Sequence, residues 1–160
     1  MALPCTEKAL LQFLRESKHA TYASSGDSAT VPAPLLSGTK QLEYRSGDFS
    51  YRDIYAGMIR FTGQEIVYFQ DKPIWSMCYS GGTLASVETD RIMGIYAFLR
   101  QALRQIPSEL PLRGPANFAE APYNYVCETI GAIEQFHGQE RISSGDALLY
   151  ELHFCGGTLI

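Results

Sequence analysis

The chain has 160 residues, 46% of them apolar and 19% charged, with a formal charge of −4 and a pI near 5.3. That length suffices for one domain, residues 1–160, that buries about two-thirds of its unfolded surface without a disulfide or a metal. The acidic balance, with no basic cluster beyond Arg100 and Arg104, excludes a reader of phosphate backbones, and no apolar run is long enough for a membrane helix.

Met1 to Leu14 lacks the basic start, apolar core and small-residue cleavage site of a signal peptide, so a cytoplasmic location is expected. Cys5, Cys78, Cys127 and Cys155 show no CxxC and no finger-like spacing with His. Reduced thiols are therefore expected, with no metal site and no cofactor.

In chain order, TEKALLQFLRESK sets Leu10, Phe13, Leu14 and Ser17 on one helical stripe behind Thr6, a suitable N-cap. HATYAS reads as a short extended piece, and the Ser/Gly/Pro-rich residues 24–40 read as a long loop. Strand patterns follow. QLEYRS ends at the turn pair Gly47-Asp48, FSYRDIYAGMIRF alternates along its length, and EIVYF and IWSMCY flank a turn at Gln70 to Pro73. SVETDRIMGIYAFLRQALRQI then predicts a second helix with Ile92, Ile95, Tyr96, Leu99, Leu103 and Ile106 on its buried stripe and Pro107 as its stop. PSELPLRGPANFAEAP reads as irregular, and YNYVCETIGAIEQF, QERIS and ALLYELHF read as three further strands.

A shift of seventy-five residues lays FTGQEIVYFQDKPIWSMCYSGGTL (61–84) over FHGQERISSGDALLYELHFCGGTL (136–159), with nine of twenty-four positions identical. A match over two strands, a turn and an exit predicts a unit of one helix and three strands built twice. Gly63 and Gly138 are then expected where one strand turns into the next, with Glu65 and Glu140 leaving that turn. The expected fold is α+β: an antiparallel sheet of about six to eight strands, two helices on one face, and a pseudo-twofold axis between the copies.

Residues 43–82, EYRSGDFSYRDIYAGMIRFTGQEIVYFQDKPIWSMCYSGG, and the closing Gly-Gly-Thr-Leu-Ile resemble a bacterial domain family of unknown function. Members of that family occur alone or C-terminal to Xre-type helix-turn-helix segments. The resemblance covers most of the chain and implies a ligand-sensing or interaction module rather than an assigned activity. In that pattern Cys78 occupies a place that carries a polar Asn.

For the site, the excess of Tyr points to a noncatalytic binding module for a small molecule or a protein. Tyr51, Tyr55, Trp75, Tyr79 and Tyr150 are its candidate aromatic residues, with Tyr123, Tyr125 and Phe154 beside them, and Asp53, Glu65 and Glu140 orient a polar group. A homodimer is the other partner expected; neither nucleic acid nor a membrane is. The alternative is a hydrolase using Glu65 and Glu140 as a carboxylate pair. A weaker reading collects His137, Glu140, His153 and Cys155 as metal ligands. No G-x-S-x-G, P-loop or dinucleotide fingerprint is present.

Overall fold

A computed structural model describes residues 3–21 and 29–159. The elements run α1 (Glu7–Ala20), β1 (Lys40–Ser46), β2 (Phe49–Gly57), β3 (Arg60–Phe69), β4 (Lys72–Thr83), α2 (Thr89–Arg104), β5 (Asn117–Glu120), β6 (Tyr123–Ala132), β7 (Gln135–Ser144) and β8 (Ala147–Thr158). All eight strands join one antiparallel sheet in the order β1-β2-β3-β4-β8-β7-β6-β5, so the fold is α+β. Among the described residues no helix is long and apolar enough to cross a membrane.

Each half is a helix followed by a four-stranded meander, not the three strands expected from the sequence. The missed strand is β5, inside the stretch read as irregular; at four residues it is too short to show alternation. Registers repeat between the halves. Phe61 pairs with Gly81 and Phe136 with Gly156, and both β3–β4 and β7–β8 carry a bulge at the same place, between Val67 and Tyr68 and between Ile142 and Ser143. The bulge leaves Ile74 and Leu149 as extra residues and turns both inward, to 3% and 4% exposure. Tyr79 and Phe154, which the seventy-five-residue shift superposes, face each other across the β4–β8 seam.

One alternating set of sheet residues is covered. Phe13 of α1 packs on Tyr44 and Phe49 with ring centroids 5.8 and 4.8 Å apart, and Phe98 of α2 packs on Phe118 and Tyr123 at 5.5 and 5.3 Å. Tyr44 and Phe118 face Tyr51 and Tyr125 in their respective hairpins, so the two helices are held by matching contacts. The helices also match in sequence: Phe13-Leu14-Arg15 and Phe98-Leu99-Arg100 fall at the same depth, with Leu10, Ser17 and Lys18 answering to Ile95, Ala102 and Leu103.

Thr6 caps α1 as expected, its hydroxyl accepting from the Ala9 N–H at 3.2 Å. The helix runs through His19 and Ala20, which were read as extended, and Thr21 caps its C-terminus with its N–H on the Ser17 carbonyl; Tyr22 to Ser24 lie outside the described residues. From residue 29 the long loop follows the sheet edge, with Val31 N–H on the Gln41 carbonyl and Glu43 N–H on the Ala29 carbonyl. In α2 the deep positions are Ile95, Phe98, Leu99, Ala102 and Leu103, while Ile92 and Tyr96 are only half-buried. The predicted stripe was rotated because Phe98 faces the second half of the sheet.

The FSYRDIYAGMIRF run breaks after Gly57, where φ is +96° and Met58-Ile59 make the turn. Gly63 and Gly138 therefore do not sit at a corner, and FTGQE and FHGQE are mid-strand. Gly63 is required by a close approach instead: a Cβ there would lie 2.4 Å from the Tyr79 hydroxyl oxygen and 2.7 Å from the Ile54 carbonyl oxygen.

Candidate functional site

Pairing Asp53 with Glu65 across β2–β3, and Glu65 with Met77 across β3–β4, brings polar groups onto the covered face of the sheet. Glu65 and Glu140 are both fully buried, and each holds a different cation. Lys18 reaches down from α1 to put its Nζ 2.5 Å from Glu65 Oε2 and 2.8 Å from the Leu112 carbonyl. Arg113, from the α2–β5 connection, donates to both oxygens of Glu140 at 2.5 and 3.1 Å, and the hydroxyls of Tyr125 and Tyr150 donate to the same carboxylate at 2.6 and 2.8 Å. Each ion pair removes from water charges that would be intolerable there alone. Burial pulls the Lys18 ammonium below its ordinary range, and Glu65 only partly restores it.

The two carboxylates are not a pair. They lie on β3 and β7 with two strands between, about 14 Å of sheet at about 4.8 Å per strand. The register also places Phe136, not Glu140, across from Glu65. Buried and saturated by its donors, Glu140 is a structural anchor for Arg113 and the loop that carries it. The acid/base reading of Glu65 and Glu140 is thus overturned by sheet order. The metal reading fails for a similar reason: Glu140 lies on the covered face, whereas His137, His153 and Cys155 are exposed on the other. Among the described residues no group of three or more His, Cys, Asp or Glu is arranged to hold a metal ion.

Between α2 and the β2–β3 end of the sheet lies a cavity of about 610 Å³. Its walls are apolar: Phe61 from β3 and Ile92, Tyr96, Leu99 and Leu103 from α2. The Tyr96 hydroxyl donates to the Ile59 carbonyl at 2.6 Å, tying α2 to the β2–β3 turn. Met58 and Met93, 77% and 81% exposed, stand at the mouth.

Asp53, Tyr79 and Arg113 also line the cavity and supply its buried polar side, with Tyr55 beside them, while Thr89 and the exposed Arg100 line it from α2. The Tyr79 hydroxyl donates to Asp53 Oδ1 at 2.6 Å, and the Arg113 guanidinium lies 5.8 Å from the Tyr79 ring centroid. Burial first, and then the charge of Glu65, push the Asp53 carboxyl up to about 7, against the opposing pull of Tyr79, Lys18 and Arg113. Lys18 and Arg113 act on Asp53 too, but each also holds another carboxylate, Glu65 and Glu140 respectively. The same burial and the neighbouring Asp53 hold the Tyr79 phenol far above its ordinary range.

The second half of the sheet shows what the scaffold itself requires. Cys127 faces Glu140 as Asp53 faces Glu65, and Phe154 faces Gly138 as Tyr79 faces Gly63. Thr129 takes the place of Tyr55. The polar group is therefore confined to one half.

Of the residues expected from the sequence, Asp53, Tyr55 and Tyr79 come together at this cavity. Tyr51, Trp75 and Tyr150 belong to the buried core, between 0% and 1% exposed, where Trp75 stacks on Phe136. Tyr125 is core too, because its hydroxyl is taken up by Glu140 and the Gly114 N–H. Sequence reasoning missed Arg113 and Lys18. A Lys one turn after Leu14, next to Ser17 on the buried side of the helix, was a usable signal; Arg113, in an irregular loop, carried none.

No curated protein and no solved structure matches the chain. A family model does, over residues 53–159, which runs from Asp53 within β2 to the end of β8 and takes in every cavity residue named above. With two-thirds of its length matched, the chain belongs to the family described as Domain of unknown function (DUF5680).

Proposed function

We propose that the protein is a noncatalytic module that binds a small molecule in the cavity between α2 and the first half of the sheet. One observation carries this reading: the buried Asp53–Tyr79 pair has Cys127 and Phe154 in its place in the other half, so the fold stands without it. A polar pair kept beside an apolar cavity, at the expense of desolvation, fits a binding site with convergent polar groups. The ligand suited to it has an apolar body and one uncharged hydrogen-bonding head. A neutral Asp53 both donates and accepts; a cationic head meets Arg113, and an anionic head faces Asp53 once that carboxyl ionises, with the buried Glu65 behind it. The shared registers and the Phe-Leu-Arg match of the helices support reading the two halves as a duplicated unit of helix plus four strands, specialised on one side.

The test is a set of thermal melts with aliphatic and aromatic alcohols and amides, each beside its carboxylate and amine analogue. The uncharged series is expected to raise the Tm of the wild type and not that of Ile92→Trp, whose indole fills the cavity. Equal shifts from charged analogues, an unchanged response in the variant, or no shift from any uncharged compound would remove the proposal.

The exposed Met58 and Met93 favour a second reading, in which a second copy of the chain or another protein covers the mouth. That reading predicts a Tm that falls on dilution, and it is lost if the Tm is independent of concentration.

A further inference from the structure

The face of the sheet opposite the helices carries a second chemical feature, independent of the cavity. Cys78 and Cys155 are exposed there, while their strand neighbours Met77, Tyr79 and Phe154 are buried on the covered face. They are direct cross-strand partners on β4 and β8, one residue from the Tyr79–Phe154 seam between the halves. We propose that Cys78 and Cys155 are a redox-active dithiol that a hydroperoxide converts to a cross-strand disulfide.

The ladder fixes their separation. The Leu159 N–H donates to the Ile74 carbonyl at 2.8 Å and the Leu84 N–H to the Leu149 carbonyl at 2.9 Å, so narrow hydrogen-bonded pairs fall at every second position from Ile74. Cys78–Cys155 is one of these pairs, with Cα atoms about 5.5 Å apart, inside the about 4.4–6.8 Å that a disulfide spans. Hydrogen-bonded pairs hold their Cβ atoms farther apart than the about 3.8 Å of a relaxed bridge, so this one forms under strain and is readily reduced. On the other side of Cys155, His137 of β7 is its direct partner on the same open face. The Thr158 N–H on the Glu134 carbonyl makes His137–Cys155 a pair of the alternate, non-hydrogen-bonded kind, in which side chains stand closest.

These placements assign the order of events. His137, the direct partner of Cys155, is placed to take the thiol proton as Cys155 attacks, which assigns Cys155 the attacking role. Burial and the adjacent Cys155 sulfur hold the Cys78 thiol up, which suits it to the resolving role. The Cys155 thiolate attacks the peroxide oxygen: an S–O bond forms, the O–O bond breaks, and the departing hydroxide leaves as water after taking a proton. Cys78 sulfur then attacks the sulfenic sulfur, the S–O bond breaks, and a second water leaves with the Cys78 proton. Two thiols give up two electrons and two protons, and hydrogen peroxide is reduced to two waters.

The experiment treats the full chain with limiting hydrogen peroxide, blocks remaining thiols with N-ethylmaleimide, and maps the unreduced digest by mass spectrometry. The expected product is a monomer lighter by two hydrogens in which the Cys78 and Cys155 peptides are joined, and a glutathione buffer reverses it. Cys78→Ser is expected to trap a sulfenic acid on Cys155 that dimedone labels, while Cys155→Ser leaves Cys78 largely unlabelled. Absence of the joined peptide while other thiols oxidise, or a link formed only between chains, overturns the dithiol. Equal dimedone labelling in the two variants overturns the assigned order. Because the wild-type map needs no substitution, a variant that misfolds does not blunt the test.

Discussion

Asp53→Asn is the substitution that interrogates the cavity most directly. Asn has the shape of a neutral carboxylic acid and keeps an oxygen for the Tyr79 hydroxyl at Asp53 Oδ1, but it cannot ionise. In the folded protein the Asp53 carboxyl is raised from 3.8 to about 7. A raised folded pKa contributes stability that is complete below the unfolded value and is lost as pH climbs through the folded one. Wild-type stability should thus drop relative to Asp53→Asn by about 1.4 kcal/mol per unit between roughly pH 4 and 7, reaching on the order of 4 kcal/mol and then levelling off. Urea melts of both proteins from pH 4 to 8 read this difference, with background titrations shared between them. A flat difference would show that Asp53 is unperturbed. A wild type that gains on the variant as pH rises would show an ionised Asp53 held by Lys18 or Arg113, and the polar side of the cavity would then be anionic.

Two further predictions follow from the buried network. Lys18→Met leaves Glu65 buried without its cation and should cost about 3–5 kcal/mol in a urea melt, most of which Lys18→Met/Glu65→Gln recovers; a single variant as stable as wild type would mean the pair is not desolvated. Gly63→Ala forces the Tyr79 ring to move and should cost about 1–3 kcal/mol. The same change should reduce the stabilisation by uncharged ligands. Retained binding would disconnect Tyr79 from the site.

The QLEYRS strand, the alternation at the start of β2, the existence of α2, the Thr6 cap and the Gly47 turn were all legible, because each is set by neighbours within a few residues. Boundaries were less so. The Met58-Ile59 turn is apolar and exposed and carries no turn signature beyond Gly57, so Gly63 took the role that belonged to Gly57. A Gly required by the approach of Tyr79 from the next strand cannot be told, in sequence, from a Gly required by its own φ. The helix match was legible and went unused: Phe-Leu-Arg recurs at Phe13 and Phe98 but with a shift of eighty-five residues rather than seventy-five, because the helix-to-strand connections differ in length.

The aromatic set was found as a group, but its division was not. Tyr51, Trp75 and Tyr150 read like Tyr55 and Tyr79, since alternation says only that a residue faces the covered side; what covers it decides between core and cavity. By itself the sequence determined the α+β class, the antiparallel pairing within each hairpin and the candidacy of Asp53, Tyr55 and Tyr79, all consequences of local periodicity and turn chemistry. Only the tertiary structure decided that β4 pairs with β8, that Glu65 and Glu140 stand apart with Lys18 and Arg113 as separate counter-ions, and that Cys78 meets Cys155. Those relations join residues far apart in the chain, and they follow from how whole sheets and helices exclude water together, a constraint that no local pattern records.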